Sequence, residues 1–314
     1  MKLSDANRLT GLVAATHTPF HADGSLNLGI VEKQAAHLLA DDVQIAFIGG
    51  TTGESHSLSL EERRALAQRW VEVARGSGLR VVVHVGSNCL SDAAALAAQA
   101  QEVGAAAISA LAPSYFKPSS VAVLVDCCMQ IAAAAPKTPF YFYDIPALTG
   151  VNLPMSEFLA AARARIPNMA GLKFTNPDLL AYQLCLNADS GAFDCPWGTD
   201  EALLAALAVG ARGAVGSTYN FAAPIYHRLM AGFANGDLAA AREEQIRSMR
   251  LVQLLGRYGF MGAAKALMRM LGVDVGPPRL PNTSLSPRGM GQLEQELREM
   301  GFFDWIRAAD FSVK

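Results

Sequence analysis

Short apolar runs recur along the chain, and each is followed by a longer stretch with apolar residues at helical spacing. The runs predict strands over 11–16, 45–48, 81–85, 106–111, 140–143, 170–174, 193–197 and 213–215, the run at 193–197 being the weak one. The stretches between them predict helices over 27–39, 59–73, 91–102, 121–134, 154–163, 179–187 and 200–209, and a further helix from 223. Asn27 stands where it can cap the first. Ser59 and Glu62 have the spacing of a capping box, and Leu66, Trp70 and Val73 follow as apolar points of that helix. Eight strand–helix units with short connections imply parallel pairing and right-handed crossovers. The expected fold is α/β, a (β/α)8 TIM barrel, for which about 250 residues is typical. A doubly wound sheet is the runner-up, but it would want a phosphate fingerprint after its first strand, where this chain has Thr16-His17-Thr18-Pro19. Further helices are expected over 238–258, 262–271 and 290–300, interrupted by Pro277-Pro278. The expected division is a barrel domain over 1–225 and a C-terminal helical extension over 226–314 packed on it.

Composition narrows the class. Of 314 residues, 51% are hydrophobic and 17% charged, which suits a large buried core. Net charge is -2 without a basic block, so no nucleic acid or anionic membrane is expected as a partner. The apolar runs are too short and broken for a membrane span, and residues 1–10 lack the apolar core of a signal peptide, so a cytoplasmic protein is expected. The five cysteines have neither metal nor redox spacing and read as reduced core residues. The six histidines are scattered without a His-Glu-x-x-His pair, so no metal is expected.

In a barrel of this kind the chemistry sits at the C-terminal ends of the strands. Those ends are small, polar and rich in hydroxyls, with Lys173 their only cation within a strand. Burial strips water from an ammonium, and a neutral lysine attacks carbonyls to form a Schiff base; the plainer alternative is an edge lysine whose head reaches solvent. The loop Gly49-Gly50-Thr51-Thr52-Gly53 precedes a helix and can offer N–H and hydroxyl donors to a carboxylate, or serve only as a turn. Tyr143 ends an aromatic strand and is either a proton shuttle or core; Tyr115 poses the same choice. Asp200 and Glu201 are equally readable as caps of the next helix. His84 reads as a satisfied core histidine.

Taken together, these motifs resemble the dihydrodipicolinate synthase and N-acetylneuraminate lyase superfamily. The likeness is carried by Gly50-Thr51-Thr52-Gly53-Glu54, the run from Tyr143 to Gly150, Gly171-Leu172-Lys173-Phe174-Thr175, Gly198-Thr199-Asp200-Glu201, the run from Gly213 to Asn220, and Gly276-Pro277-Pro278-Arg279-Leu280-Pro281. It spans about residues 9–283. The resemblance implies that Lys173 is the Schiff-base lysine, Tyr143 the proton-transfer tyrosine, and Thr51 and Thr52 the carboxylate binders for pyruvate. It also implies that Thr175, Gly198, Asp200, Glu201 and Ser217 contact the sugar-derived tail of a 2-keto sugar acid. Tyr115 matches a tyrosine that reaches a neighbouring subunit's site in a homotetramer. Leu148 stands where synthases have an arginine for a second carboxylate, and leucine cannot make that contact. The pair Asp200-Glu201 suits a polyhydroxy substrate. The lyase branch is therefore expected: reversible cleavage of N-acetylneuraminate to N-acetylmannosamine and pyruvate, with no cofactor beyond the lysine imine. The alternatives are a related aldolase, dehydratase or dihydrodipicolinate synthase-like enzyme on another 2-keto acid, and a non-catalytic pyruvate-binding paralogue. Asp144, where related chains often carry Asn, is expected to raise the phenol pKa of Tyr143 if the two side chains meet.

Overall fold

The computed structural model of the chain describes residues 7–307. Seven regular strands form the barrel wall: β1 (Gly11–Ala15), β2 (Ile45–Ile48), β3 (Arg80–His84), β4 (Ala107–Leu111), β5 (Phe140–Asp144), β6 (Met169–Phe174) and β7 (Gly213–Gly216). They pair in parallel, in the order β6-β5-β4-β3-β2-β1-β7. Helices α1 (Val31–Ala40), α2 (Leu60–Ala74), α3 (Leu90–Val103) and α4 (Val121–Ala133) cover the first strands. The short α5 (Pro146–Thr149), then α6 (Met155–Arg165), α7 (Leu179–Asn187), α8 (Leu203–Ala208) and α9 (Ala223–Ala234) complete the ring. Helices α10 (Leu238–Arg257), α11 (Phe260–Met270), α12 (Pro287–Glu299) and α13 (Phe302–Trp305) follow.

The run expected as a strand at 193–197 is not a regular one. Residues 194–198 nevertheless close the wall between β6 and β7. Leu172 N donates to Asp194 O, Phe174 N to Pro196 O and Gly198 N to Phe174 O on one side; Trp197 N donates to Gly213 O and Trp197 O accepts Val215 N on the other. Pro196 has no N–H, so the ladder is broken in mid-strand and only isolated bridges remain.

Local signals set most helix starts. Ser59 and Glu62 form the full capping box, and Ser120 and Asp178 cap α4 and α7. Asn27 does not cap: its side chain makes no such bond, and a 3-10 turn (Leu28–Ile30) leads into α1 instead.

Alternation along the strands divides the core in two. Val13, Phe47, Val82, Leu111, Tyr141, Tyr143 and Val215 fill the barrel, while Ala14, Ile48, Val83, Phe142, Leu172 and Phe174 face the helices. Each such large aliphatic or aromatic side chain contributes about 1.5–3 kcal/mol on burial. The Tyr141 hydroxyl donates to Asp194 Oδ2 at 2.7 Å, and Leu9 N donates to the same oxygen at 2.7 Å, closing the barrel floor. The cysteine expectation needs one correction. Cys128, Cys185 and Cys195 are buried, but Cys127 is half-buried, and Cys89 is exposed because it stands at the N-cap of α3 rather than on its inner face.

Candidate active site

The register of β5 on β6 pairs Tyr143 with Lys173. Leu172 and Phe174 point to the helices, so Lys173 between them points into the barrel. It is 5% exposed, unlike an edge lysine with its head in water. Its Nζ lies 4.0 Å from the Tyr143 ring centroid and 4.7 Å from that of Phe47. Aromatic faces attract a cation through their quadrupole while excluding water from it.

The loop after β2 brings its hydroxyls to the same place. Thr51 Oγ1 is 3.3 Å from the Tyr143 phenol oxygen, and Thr52 Oγ1 is 2.6 Å from Ser217 Oγ beyond β7. Thr51 is exposed at the mouth, Thr52 buried beneath it. His84 supports this loop from below. Its Nδ1 lies 3.1 Å from Gly49 O, and its ring meets that of Tyr143 edge-on at 5.9 Å. Burial, then the neighbouring Arg63 charge, hold its pKa well below the usual histidine range. The neutral ring donates from Nδ1 to the Gly49 carbonyl. Arg63 in turn donates to the carbonyls of Gly86 (2.9 Å) and His84 (2.9 Å), fixing the end of β3.

The end of the loop is held by a group that the sequence pattern did not reveal. Glu54 adopts a left-handed backbone, φ 57°, unusual for a residue with a side chain. Its carboxylate is 2.7 Å from the buried Lys265 Nζ of α11 and accepts Arg279 N at 2.7 Å. Lys265 also donates to Thr18 O (2.9 Å) and Pro277 O (3.0 Å). Arg279 donates to Glu62 and to Gly24 O, and both cations lie over the Phe20 ring, at 4.4 and 4.3 Å. The available signals were Glu54 closing the Gly-Thr-Thr-Gly run and Arg279 in the proline-rich motif.

On the opposite rim, Thr175 Oγ1 is buried without a protein partner and lies against Gly198, where any Cβ would collide with it. Asp200 does not cap its own helix. The cap position is Thr199, and a 3-10 turn (Asp200–Ala202) precedes α8. The Asp200 carboxylate instead accepts Thr218 N at 2.9 Å and Thr218 Oγ1 at 2.7 Å. Burial raises its pKa to about 6, while the Thr218 hydrogen bonds and the Lys173 charge pull it down. Glu201 is exposed and borders an outer groove with Leu204, Phe233 and Arg242.

Three further positions are settled by geometry. Asp144 and Tyr143 lie on opposite faces of β5, so the expected carboxylate–phenol contact does not form. Asp144 meets Asn176 Nδ2 at 3.4 Å on the helix side, where burial raises its pKa to about 7. Tyr115 is 78% exposed and stacks edge-on against Phe116. Leu148, 63% exposed, borders a cleft of about 190 Å³ with Thr51, His56 and Thr149. Among the described residues no His, Cys, Asp and Glu side chains gather as a metal site, and no helix is long and apolar enough to cross a membrane.

Known proteins share this architecture. The chain is 43% identical over 277 residues to N-acetylneuraminate lyase of Xenopus tropicalis, covering 87% of this chain and 90% of that one. It is 37% identical to human N-acetylneuraminate lyase, covering 98% and 97%. The solved structure of N-acetylneuraminate lyase (sialic acid aldolase) from Aliivibrio salmonicida superposes with a TM-score of 0.91 at 43% identity, over 94% of this chain and 98% of that one. Residues 8–300 match the model of the dihydrodipicolinate synthetase family. With that match over nearly its whole length, and with its lysine on β6 at the mouth of a parallel barrel, the chain belongs to the dihydrodipicolinate synthetase family.

Proposed function

We propose that the chain is a Schiff-base aldolase that reversibly cleaves N-acetylneuraminate to N-acetylmannosamine and pyruvate. The observation that carries this reading is the buried Lys173 Nζ against the Tyr143 ring, with the Tyr143 phenol within reach of Thr51. The names of the relatives support the same substrate.

The open-chain sugar acid enters with its carboxylate on Thr51 and Thr52, which sets the C2 ketone over Lys173. The Lys173 amine attacks C2, the departing hydroxyl takes up a proton from solvent and leaves as water, and a protonated imine forms. The Tyr143 phenol relays the proton of the C4 hydroxyl, accepting it as its own phenol proton passes on to C3. The C3–C4 bond breaks, its electron pair passes into the imine as an enamine, and the aldehyde departs. Protonation of the enamine at C3 and hydrolysis release pyruvate and the lysine. The protonated imine is the electron sink, so the reaction needs no cofactor. Thr175, Gly198, Asp200, Glu201 and Ser217 are assigned to the sugar tail. Tyr115, exposed in its own chain, is assigned to a neighbouring subunit's site in a cytoplasmic homotetramer. The apolar Leu148 disfavours the synthase reading, because it offers nothing to a second carboxylate.

The test is incubation with pyruvate, reduction with borohydride and mapping of the added mass. An adduct on Lys173, with pyruvate release from N-acetylneuraminate, is the expected result. Folded protein without an adduct, or a Lys173→Ala protein that still turns over, overturns the assignment.

A further inference from the structure

The Asp200 carboxylate is the visible end of a longer arrangement. Thr218 Oγ1, 2.7 Å from Asp200 Oδ2, is also 2.6 Å from the Tyr226 phenol oxygen on α9. That oxygen is 2.8 Å from Ser248 Oγ on α10. Thr218, Tyr226 and Ser248 are all buried. Each hydroxyl has one proton, and an ionised carboxylate can only accept. The Thr218 proton therefore goes to Asp200 and the Tyr226 proton to Thr218, and the Ser248 proton goes to Tyr226 at 2.8 Å rather than to Asp200 O, which is 3.5 Å away. Helix α10 also grips the main chain of this turn: Gln245 Nε2 donates to Asp200 O at 3.3 Å, and Gln245 Oε1 accepts Leu204 N at 2.8 Å. Asp200 Oδ1, which takes neither Thr218 bond, lies against Gly216.

We propose that Tyr226 and Ser248 are positioning residues for Asp200: their one-way hydroxyl chain holds the carboxylate in the orientation that receives the hydroxyls of the sugar tail. The inference rests on the reading of Asp200 as a tail-binding carboxylate. Its physical content is cooperative. A threonine hydroxyl that already accepts a hydrogen bond is a better donor, and its single rotor is fixed. Tyr226 and Ser248 touch no substrate, and two helices that carry no chemistry of their own thereby tune the site. The charged and titratable groups around Asp200 are Lys173 from β6, Glu201 from the same turn, Tyr219 from the turn after β7, and Tyr226 from α9. Against that fixed background, loss of the chain weakens the Thr218 bonds that keep Asp200 ionised.

The experiment compares the parent with Asp200→Asn, Tyr226→Phe, Ser248→Ala and the Tyr226→Phe/Ser248→Ala double variant. It reads kcat and KM for N-acetylneuraminate, the pH profile of kcat/KM, and the borohydride-trapped pyruvate adduct. Tyr226→Phe should raise KM about threefold to tenfold, the span of one lost hydrogen bond. It should also move the acid limb of kcat/KM to higher pH and leave the adduct at the parent level. Adding Ser248→Ala should cost nothing more, because the chain is already cut. Ser248→Ala alone should show the same signs at smaller amplitude, and it serves if Tyr226→Phe does not fold. Impairment by Asp200→Asn alone, with both hydroxyl variants like the parent, overturns the relay and leaves the reading of Asp200 intact. Multiplicative losses that include the adduct indicate packing roles and also overturn the relay. An unimpaired Asp200→Asn overturns both.

Discussion

The Thr51 hydroxyl lies 3.3 Å from the phenol oxygen of Tyr143, across the barrel mouth from a different strand and a different loop. A proton that reaches the phenol therefore has a neighbour ready to share it. Tyr143→Phe should still form the pyruvate imine but lose about 10²–10⁴-fold in cleavage rate, the usual yield of a positioned acid–base group. Thr51→Val should lower kcat in the same direction by a smaller factor. Single-turnover cleavage measured beside borohydride trapping separates the two steps. Equal loss of both would assign Tyr143 to imine formation instead.

Gly216→Ala tests the tail side. A Cβ at this position collides with the Asp200 carboxylate. The variant should raise KM for the sugar acid while pyruvate trapping on Lys173 stays at the parent level. A fall in both would show that the barrel end, not Asp200 alone, has moved.

The Glu54–Lys265 pair, 2.7 Å apart with both side chains buried, predicts a large stability effect. Glu54→Gln or Lys265→Met should each destabilise by about 3–5 kcal/mol, because each leaves one buried charge unpaired. The double variant should lose less than the two single losses combined. Denaturant unfolding followed by circular dichroism gives the three values.

Asp144 gives a prediction with a definite sign. Its folded pKa is about 7, raised by burial above the ordinary carboxylate value of 3.8. The folded state thus holds a proton that the unfolded chain releases at lower pH. Stability from this group is fully present below about pH 4 and declines as pH rises through about 7. Asp144→Asn should therefore be more stable than the parent at pH 8, with the difference shrinking toward pH 4. A constant difference in melting temperature across that range would refute the shift.

The sequence made some of this legible and hid the rest, for physical reasons. The parity of β6 placed Lys173 opposite Leu172 and Phe174, so a costly inward lysine could be read from one strand. The weak strand at 193–197 remained irregular because Pro196 removes a ladder donor, which a count of apolar residues does not register. Asp200 was ambiguous because a carboxylate before a helix satisfies capping rules equally well. Only Thr218, eighteen residues on, decides the matter. Tyr226 and Ser248 were invisible, since each sits on a helix where tyrosine and serine at inward positions look like ordinary core.

The cations around Phe20 have a consequence for the order of synthesis. Lys265 and Arg279, which neutralise and hold the buried Glu54, are made only after every strand of the barrel. Until residues 265–279 are made, the carboxylate that closes the threonine loop has neither of these two partners. The loop assigned to the substrate carboxylate is thus anchored by the last third of the chain, although every residue of the loop itself lies in the first third.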